Sequence, residues 1–212
     1  MTDTTRRKVL LGAASLLSLS ATSSLVSASQ ATPRASRGPF YPTDLPLDDD
    51  NDLAQVTGQT ALARGKISHL SGRLLDLNGR PLQGARIEIW QCDANGRYRH
   101  PRDPGQQPID PGFQGFGHSL TNAEGRYRFR TIRPVPYPGR TPHIHVAVRL
   151  PGSPAFVTQL YVAGEQANDA DFLYRRIPVE KRPMVTAEFT RADDAEADLQ
   201  ASWDIVLDSG RS

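Results

Sequence analysis

The sequence predicts an all-β fold, an antiparallel β-sandwich with long loops and an extended N-terminal arm. Three observations lead there. Gly and Pro number 17 each among 212 residues, enough for frequent turns and too aperiodic for a collagen-like chain. From about residue 66 the chain becomes a succession of short β-type runs separated by turn residues. One of them, Arg86-Ile87-Glu88-Ile89-Trp90, alternates polar and apolar side chains as a half-buried strand does. Hydrophobic residues at 38% and charged residues at 23% are ordinary globular usage and argue against wholesale disorder. A single cysteine, Cys92, excludes an internal disulfide framework and any Cys-based zinc finger; it reads as a buried core thiol.

The elements follow in order. Residues 1–28 read as an export signal: Arg6, Arg7 and Lys8 form a basic head, an apolar stretch runs from Val9 to about Leu19, and Val26-Ser27-Ala28 ends a small-residue tail. The paired arginines resemble a twin-arginine signal and imply a periplasmic or secreted protein; a general secretory signal is the alternative. Three of the 25 basic and one of the 23 acidic residues lie in this segment, so 22 of each remain. A neutral mature chain gives no reason to expect nucleic acid or an anionic membrane as a partner. Residues 29–65 read as an arm with room for one short helix, and Asp48-Asp49-Asp50 as a solvated turn, with cation binding the alternative. Residues 66–212 form the sandwich. Its strands are expected at His69–Asp76, Ala85–Cys92, His118–Asn122, Arg126–Ile132, His143–Leu150, Phe156–Val162, Met184–Thr190 and Ser202–Leu207, with a short helix or lid over Asn168–Arg176. Tyr127, alternating with Phe129, reads as core; His69 and His118 read as polar strand positions.

The chemistry gathers around His143-Ile144-His145. In a strand, His143 and His145 share one face while Ile144, Val146 and Val148 share the other, so two imidazoles stand on a face opposite an apolar core. Such a pair suits a metal, although His-x-His alone reads equally as a surface pair. The approach holds four prolines in nine residues, Pro134 to Pro142, a stiff loop able to hold Tyr137 and Arg140 against the histidines. Tyr98 falls on a loop that follows the Arg86–Trp90 run. Two phenols and two imidazoles favour a hard trivalent cation, and mononuclear ferric iron fits the donor chemistry.

These residues resemble the intradiol ring-cleavage dioxygenases, most of all the iron-bearing subunit of the protocatechuate 3,4-dioxygenase branch. The matching pieces occur in order: Gly38-Pro39-Phe40-Tyr41-Pro42, Asp50-Asn51-Asp52-Leu53, Glu88-Ile89-Trp90-Gln91, Gly96-Arg97-Tyr98-Arg99-His100, Pro136-Tyr137-Pro138, Arg140 to His145, and Thr158-Gln159-Leu160-Tyr161. The resemblance implies non-haem Fe(III) with Tyr98, Tyr137, His143 and His145 as ligands. It also implies catalytic roles for Tyr137, Arg140 and Gln159, and O2 with a catechol-type diol as substrates, cleaved to a muconate-type diacid. Phe40, Tyr41 and Trp90 are candidate pocket walls, Trp90 reading equally as core. Only five residues separate Tyr137 from His143, fewer than that branch usually has, so the pocket wall is trimmed. Arg99, Arg102 and Arg133 are candidates to meet a substrate carboxylate, and a homo-oligomer is compatible with the chain.

Two other readings share the scaffold. The runs Ser71–Ile89 and Thr121–Phe129 also resemble prealbumin-like or carboxypeptidase-regulatory-type binding modules, which bind without a metal. A copper or zinc hydrolytic site is the second. The set of Tyr98, Tyr137, Arg140, His143 and His145 separates an enzyme from such a module, which has no need of it.

Overall fold

The computed structural model describes residues 30–46 and 48–208; the export signal expected over 1–28 lies outside them. Among the described residues there are ten strands: β1 (Ile67–Asp76), β2 (Arg86–Trp90), β3 (Phe116–Leu120), β4 (Arg126–Ile132), β5 (His143–Arg149), β6 (Phe156–Val162), β7 (Thr186–Ala187), β8 (Thr190–Arg191), β9 (Leu199–Ser202) and β10 (Ile205–Leu207). They form two five-stranded sheets.

In the first sheet β1 pairs along one edge with β4, antiparallel from Ile67↔Ile132 to Arg73↔Arg126. Its other edge carries β9 and then β10 in series, both parallel. The break between these two falls at Trp203 and Asp204. There Trp203 donates its N–H to the Ser71 carbonyl at 2.9 Å, and the Asp204 carboxylate accepts the Arg73 N–H at 2.8 Å. A Cβ on Gly72 would stand 1.7 Å from the Trp203 carbonyl oxygen, so only glycine lets the chain pass. The second sheet runs β3-β2-β5-β6-β7, and only its β6–β7 pair is parallel.

The sheets pack on the faces expected. Leu70, Leu74, Phe129 and Ile132 meet Ile87, Ile89, Ile144, Val146, Val148 and Leu160 in one cluster, each about 1% exposed or less. Complete burial of such a side chain stabilises the fold by roughly 1.5–3 kcal/mol. Tyr127 is core as read, its hydroxyl donating to the Trp203 carbonyl at 2.6 Å. A second buried cluster lies on the outer face of the second sheet, built from Trp90, Cys92, Tyr98, Phe116 and Ala147, with Phe40, Tyr41 and Tyr137 against it.

Strands β4 and β6 have the expected limits, most others differ by one to three residues, and the run Ser202–Leu207 is broken at Trp203 and Asp204, with Ser202 ending β9 and Ile205–Leu207 forming β10. The differences are instructive. Three strand pairings are parallel where an antiparallel sandwich was expected. The run Met184–Thr190 is not one strand. A 3-10 turn (Val179–Val185) containing Pro183 leads into β7 on the second sheet, and β8 already pairs with the first sheet, so the chain crosses between layers there. Asn168–Arg176 forms two 3-10 turns, Gln166–Ala170 and Tyr174–Arg176, split at Asp171, whose side chain accepts the N–H groups of Leu173 and Tyr174. The arm contains no helix among its described residues. Asp48-Asp49-Asp50 is more than a solvated turn: Asp48 accepts the Thr57 N–H and Asp49 pairs with Arg86 at 3.0 Å, tying the arm to β2.

Candidate metal centre

Register places the site. β5 lies between β2 and β6, with Trp90 opposite His145 on one side and Gln159 opposite it on the other; His143 faces Tyr161. Directly paired residues share a face, so these five side chains gather on the outer side of the sheet. Loops then bring the phenols. Asp93 accepts the N–H groups of Asn95 and Arg97 and so folds a tight turn after β2, which sets Tyr98. Gly96 in that turn has φ +73°, and a Cβ there would stand 3.0 Å from the Pro136 carbonyl; this close approach draws the two tyrosine-bearing loops together. In the second loop Pro138 and Gly139 (φ +80°) occupy the centre of a turn closed by the Arg140 N–H on the Tyr137 carbonyl at 2.9 Å. Pro then Gly with positive φ is the signature of a type II turn, and it holds Tyr137 and Arg140 side by side.

The four rings meet. Ring centroids are 5.3 Å apart for Tyr98 and Tyr137, 5.4 Å for Tyr137 and His143, 4.7 Å for the two histidines, and 6.2 Å for Tyr98 and His145. His143 Nδ1 is 2.7 Å from the Thr141 carbonyl oxygen, which requires the proton on Nδ1 and leaves a lone pair on Nε2. That Nε2 faces His145 Nε2 at 3.2 Å. Burial pushes both imidazoles toward the neutral form, His143 to about 4 and His145 well below its ordinary value. Burial likewise drives the Tyr98 phenol well above 10, and raises Tyr137, where Arg140 acts in the opposite direction.

Tyr98 Oη and His145 Nδ1 are buried without a hydrogen-bond partner in the structure. Orphaned buried polar atoms cost free energy unless something meets them. A cation held by the facing Nε2 atoms and the phenols supplies the partner that Tyr98 Oη lacks and favours the phenolate that burial alone disfavours. Among the described residues no three His, Cys, Asp or Glu side chains come together, so any ion here relies on the phenols. The donor set thus fits a hard trivalent metal.

Arg140 lies beside the four rings. It donates from Nη2 to Gln159 Oε1 at 2.7 Å and from Nε to Asp171 Oδ2 at 2.8 Å, and its Nη1 is 3.5 Å from Tyr137 Oη. Gln159 Oε1 also accepts the Tyr161 hydroxyl at 2.9 Å, so its oxygen faces Arg140. Phe40 stacks on Tyr98 at 4.6 Å, and Trp90 lies parallel to His145 at 4.9 Å and 6°. Tyr41 turns away: its ring meets Trp90 edge-on and its hydroxyl donates to Glu88. Arg99, Arg102 and Arg133 are engaged with the Asp110 and Phe113 carbonyls, the Pro39 carbonyl and the Glu165 carboxylate respectively. Gly38 and Tyr161 stood inside the matching motifs with no role of their own, and Asp171 was not named from the sequence. Tyr161 was findable, since it shares a face with Gln159 two residues away.

A dioxygenase family model matches residues 36–209 of this chain. The chain belongs to the intradiol dioxygenase family. It is 36% identical over 168 residues to the protocatechuate 3,4-dioxygenase beta chain of Burkholderia cepacia, covering 74% of this chain and 71% of that one. Against the catechol 1,2-dioxygenase of Candida albicans the identity is 28% over 195 residues, 84% of this chain and 60% of the relative. The hydroxyquinol 1,2-dioxygenase of Corynebacterium glutamicum is 32% identical over 146 residues, 60% of this chain and 45% of the relative. Among solved structures, the dioxygenase domain of a dioxygenase and carbohydrate-binding fusion protein from Streptomyces sp. SirexAA-E superposes with a TM-score of 0.65 at 32% identity, covering 84% of this chain and 99% of the domain. An intradiol ring-cleavage dioxygenase from Tetranychus urticae gives 0.65 at 22% identity, covering 87% and 98%, a likeness of fold.

Proposed function

We propose that this family member is a mononuclear Fe(III) intradiol dioxygenase, with Tyr98, Tyr137, His143 and His145 as the protein ligands. It breaks the bond between the two hydroxylated carbons of a catechol-type diol, adds one atom of O2 to each, and yields a muconate-type diacid. The observation that carries this reading is the convergence of two phenols and two neutral imidazoles, one phenol orphaned, beside a buried guanidinium. When bound, ferric iron supplies the Lewis acidity that acidifies the diol and prepares its ring for O2.

The chain's own groups do the rest. Tyr137 is the half-buried phenol of the pair and Oη lies against Arg140, so it is the one placed to take up a diol proton at Oη and hold it there. Arg140 presents Nη1 to the charge that develops on the substrate; a guanidinium fixed in advance needs no reorganisation at that moment. Gln159, itself oriented by Tyr161, holds Arg140 through Nη2. Phe40 and Trp90 cover the rings and exclude water. The pattern of residues 1–28 supports export to the periplasm as part of the same proposal.

The test is a visible spectrum with metal analysis on the purified, ferric-reconstituted chain, before and after anaerobic catechol. One iron per chain and a red-brown tyrosinate band that shifts with catechol are expected. A colourless, metal-free product that ignores catechol would overturn the assignment and favour a binding module.

A further inference from the structure

We propose that Asp171 is the positioning residue that sets the direction of Arg140, so that the Nη1 edge of the guanidinium and no other faces the reacting centre. This rests on the role given to Arg140 above.

The Arg140–Asp171 pair is buried, with side-chain exposures of 8% and 0%. An ion pair removed from water costs several kcal/mol per charge, and an apolar pair of the same size is often no less stable. Stability alone is therefore a poor reason for it. Asp171 is held without slack. Oδ2 accepts Arg140 Nε at 2.8 Å and the Thr141 N–H at 3.1 Å; Oδ1 accepts the N–H groups of Leu173 and Tyr174 at 3.0 and 2.9 Å. Four donors on two oxygens leave the carboxylate one orientation.

A guanidinium offers Nε and Nη2 along one edge and Nη1 on the opposite side. Asp171 takes Nε and Gln159 takes Nη2, which occupies the first edge. Nη1 remains, and it points to Tyr137 Oη. The neighbouring Phe172 bounds the face, its ring centroid 5.5 Å from the Arg140 guanidinium carbon. Edge and face are thus fixed by two consecutive residues. Gln159 alone, a neutral amide on one nitrogen, leaves rotation about that bond open. Both Asp171 oxygens are taken by Arg140 and by backbone N–H groups, so it acts through Arg140.

The test compares Asp171→Asn with Arg140→Gln and the double variant, in the iron-loaded full chain acting on catechol. Asparagine keeps an oxygen for the Leu173 and Tyr174 N–H groups but turns a donor toward Arg140. Asp171→Ser, whose hydroxyl can still cap the same turn, serves if the first variant does not fold. In Asp171→Asn, kcat should fall by roughly the 10²-fold that follows an ångström-scale misplacement, with KM, iron content and the visible band unchanged. In the Arg140→Gln background the same change should cost kcat nothing further. Solvent exchange of the Arg140 Nε–H, followed by NMR in the metal-free chain, should be slow in wild type and fast in Asp171→Asn and Asp171→Ser. Equal kcat losses in both backgrounds would reduce Asp171 to a structural role. An unchanged kcat with slow exchange would overturn the proposal outright. A wild-type chain that turns over no diol would sink the dioxygenase reading, and the exchange rates would still decide whether Asp171 holds Arg140.

Discussion

Gly38→Ala is expected to damage the centre from a residue that carries no chemistry. Gly38 has φ +71°, and a methyl there would stand 3.1 Å from His145 Cε1. Two costs add. A non-glycine residue in the left-handed region costs about 1–2 kcal/mol. The methyl is also roughly 0.5 Å inside ordinary carbon contact distance. His145 has little room to yield, since it is fully buried and stacked on Trp90. Overpacking of this kind typically costs about 1–3 kcal/mol more. The arm must lift, and with it Phe40 from the face of Tyr98. Gly84→Ala is the control: φ is +73° and no atom lies within 4 Å of its methyl position. At roughly 2–4 °C per kcal/mol for a chain of this size, Gly84→Ala should lower Tm by a few degrees and Gly38→Ala by about twice that. Thermal melts and steady-state turnover of the two variants decide it. Only Gly38→Ala should also lose turnover. Equal melting temperatures with full activity in both would refute the packing of the arm on His145.

Three other outcomes are expected. Arg140→Ala should keep iron and its colour while kcat falls about 10²–10³-fold, the usual loss for one charge-stabilising donor; metal analysis beside steady-state kinetics checks it. Cys92, fully buried with its thiol pushed up to about 12 by burial and then by Asp93, should ignore a thiol reagent at pH 8 in the folded chain and react once in denaturant. Tyr127→Phe should cost about 1–3 kcal/mol by leaving the Trp203 carbonyl unmet, read as a lower Tm with iron content unchanged.

What the sequence disclosed follows from which forces are local. The alternation through His143-Ile144-His145 set two imidazoles on one face because strand period is a property of the backbone itself. The Pro138-Gly139 pair announced a stiff turn for the same reason, and Tyr137 and Arg140 do sit together on it. The strand limits failed where the fold needs more than period. Met184 to Thr190 alternates like one strand, yet the chain there changes sheets, which only the two layers together dictate. The parallel addition of β9 and β10 to β1 was equally hidden, since it depends on residues more than 120 positions apart in the chain. Asp171 was invisible in the same way: its partner Arg140 lies 31 residues earlier, and nothing near either residue marks the pair.

The arm meets β10 before it reaches the centre. Thr32 exchanges hydrogen bonds with Val206, 174 positions away, and Ala35 and Ser36 then dock on β6 and Gln159. A chain made from its N-terminus therefore emits the arm well before either β6 or β10, the strands that anchor it. Until β6 has formed, the segment that will roof Tyr98 and His145 lacks part of its seat. The start of the arm therefore settles only once β10 is in register with β1, whereas Pro33 to Ser36 seat on β6. Loss of Val206 would accordingly be felt 174 positions earlier, where Thr32 would lose both of these hydrogen bonds and the arm its first tether.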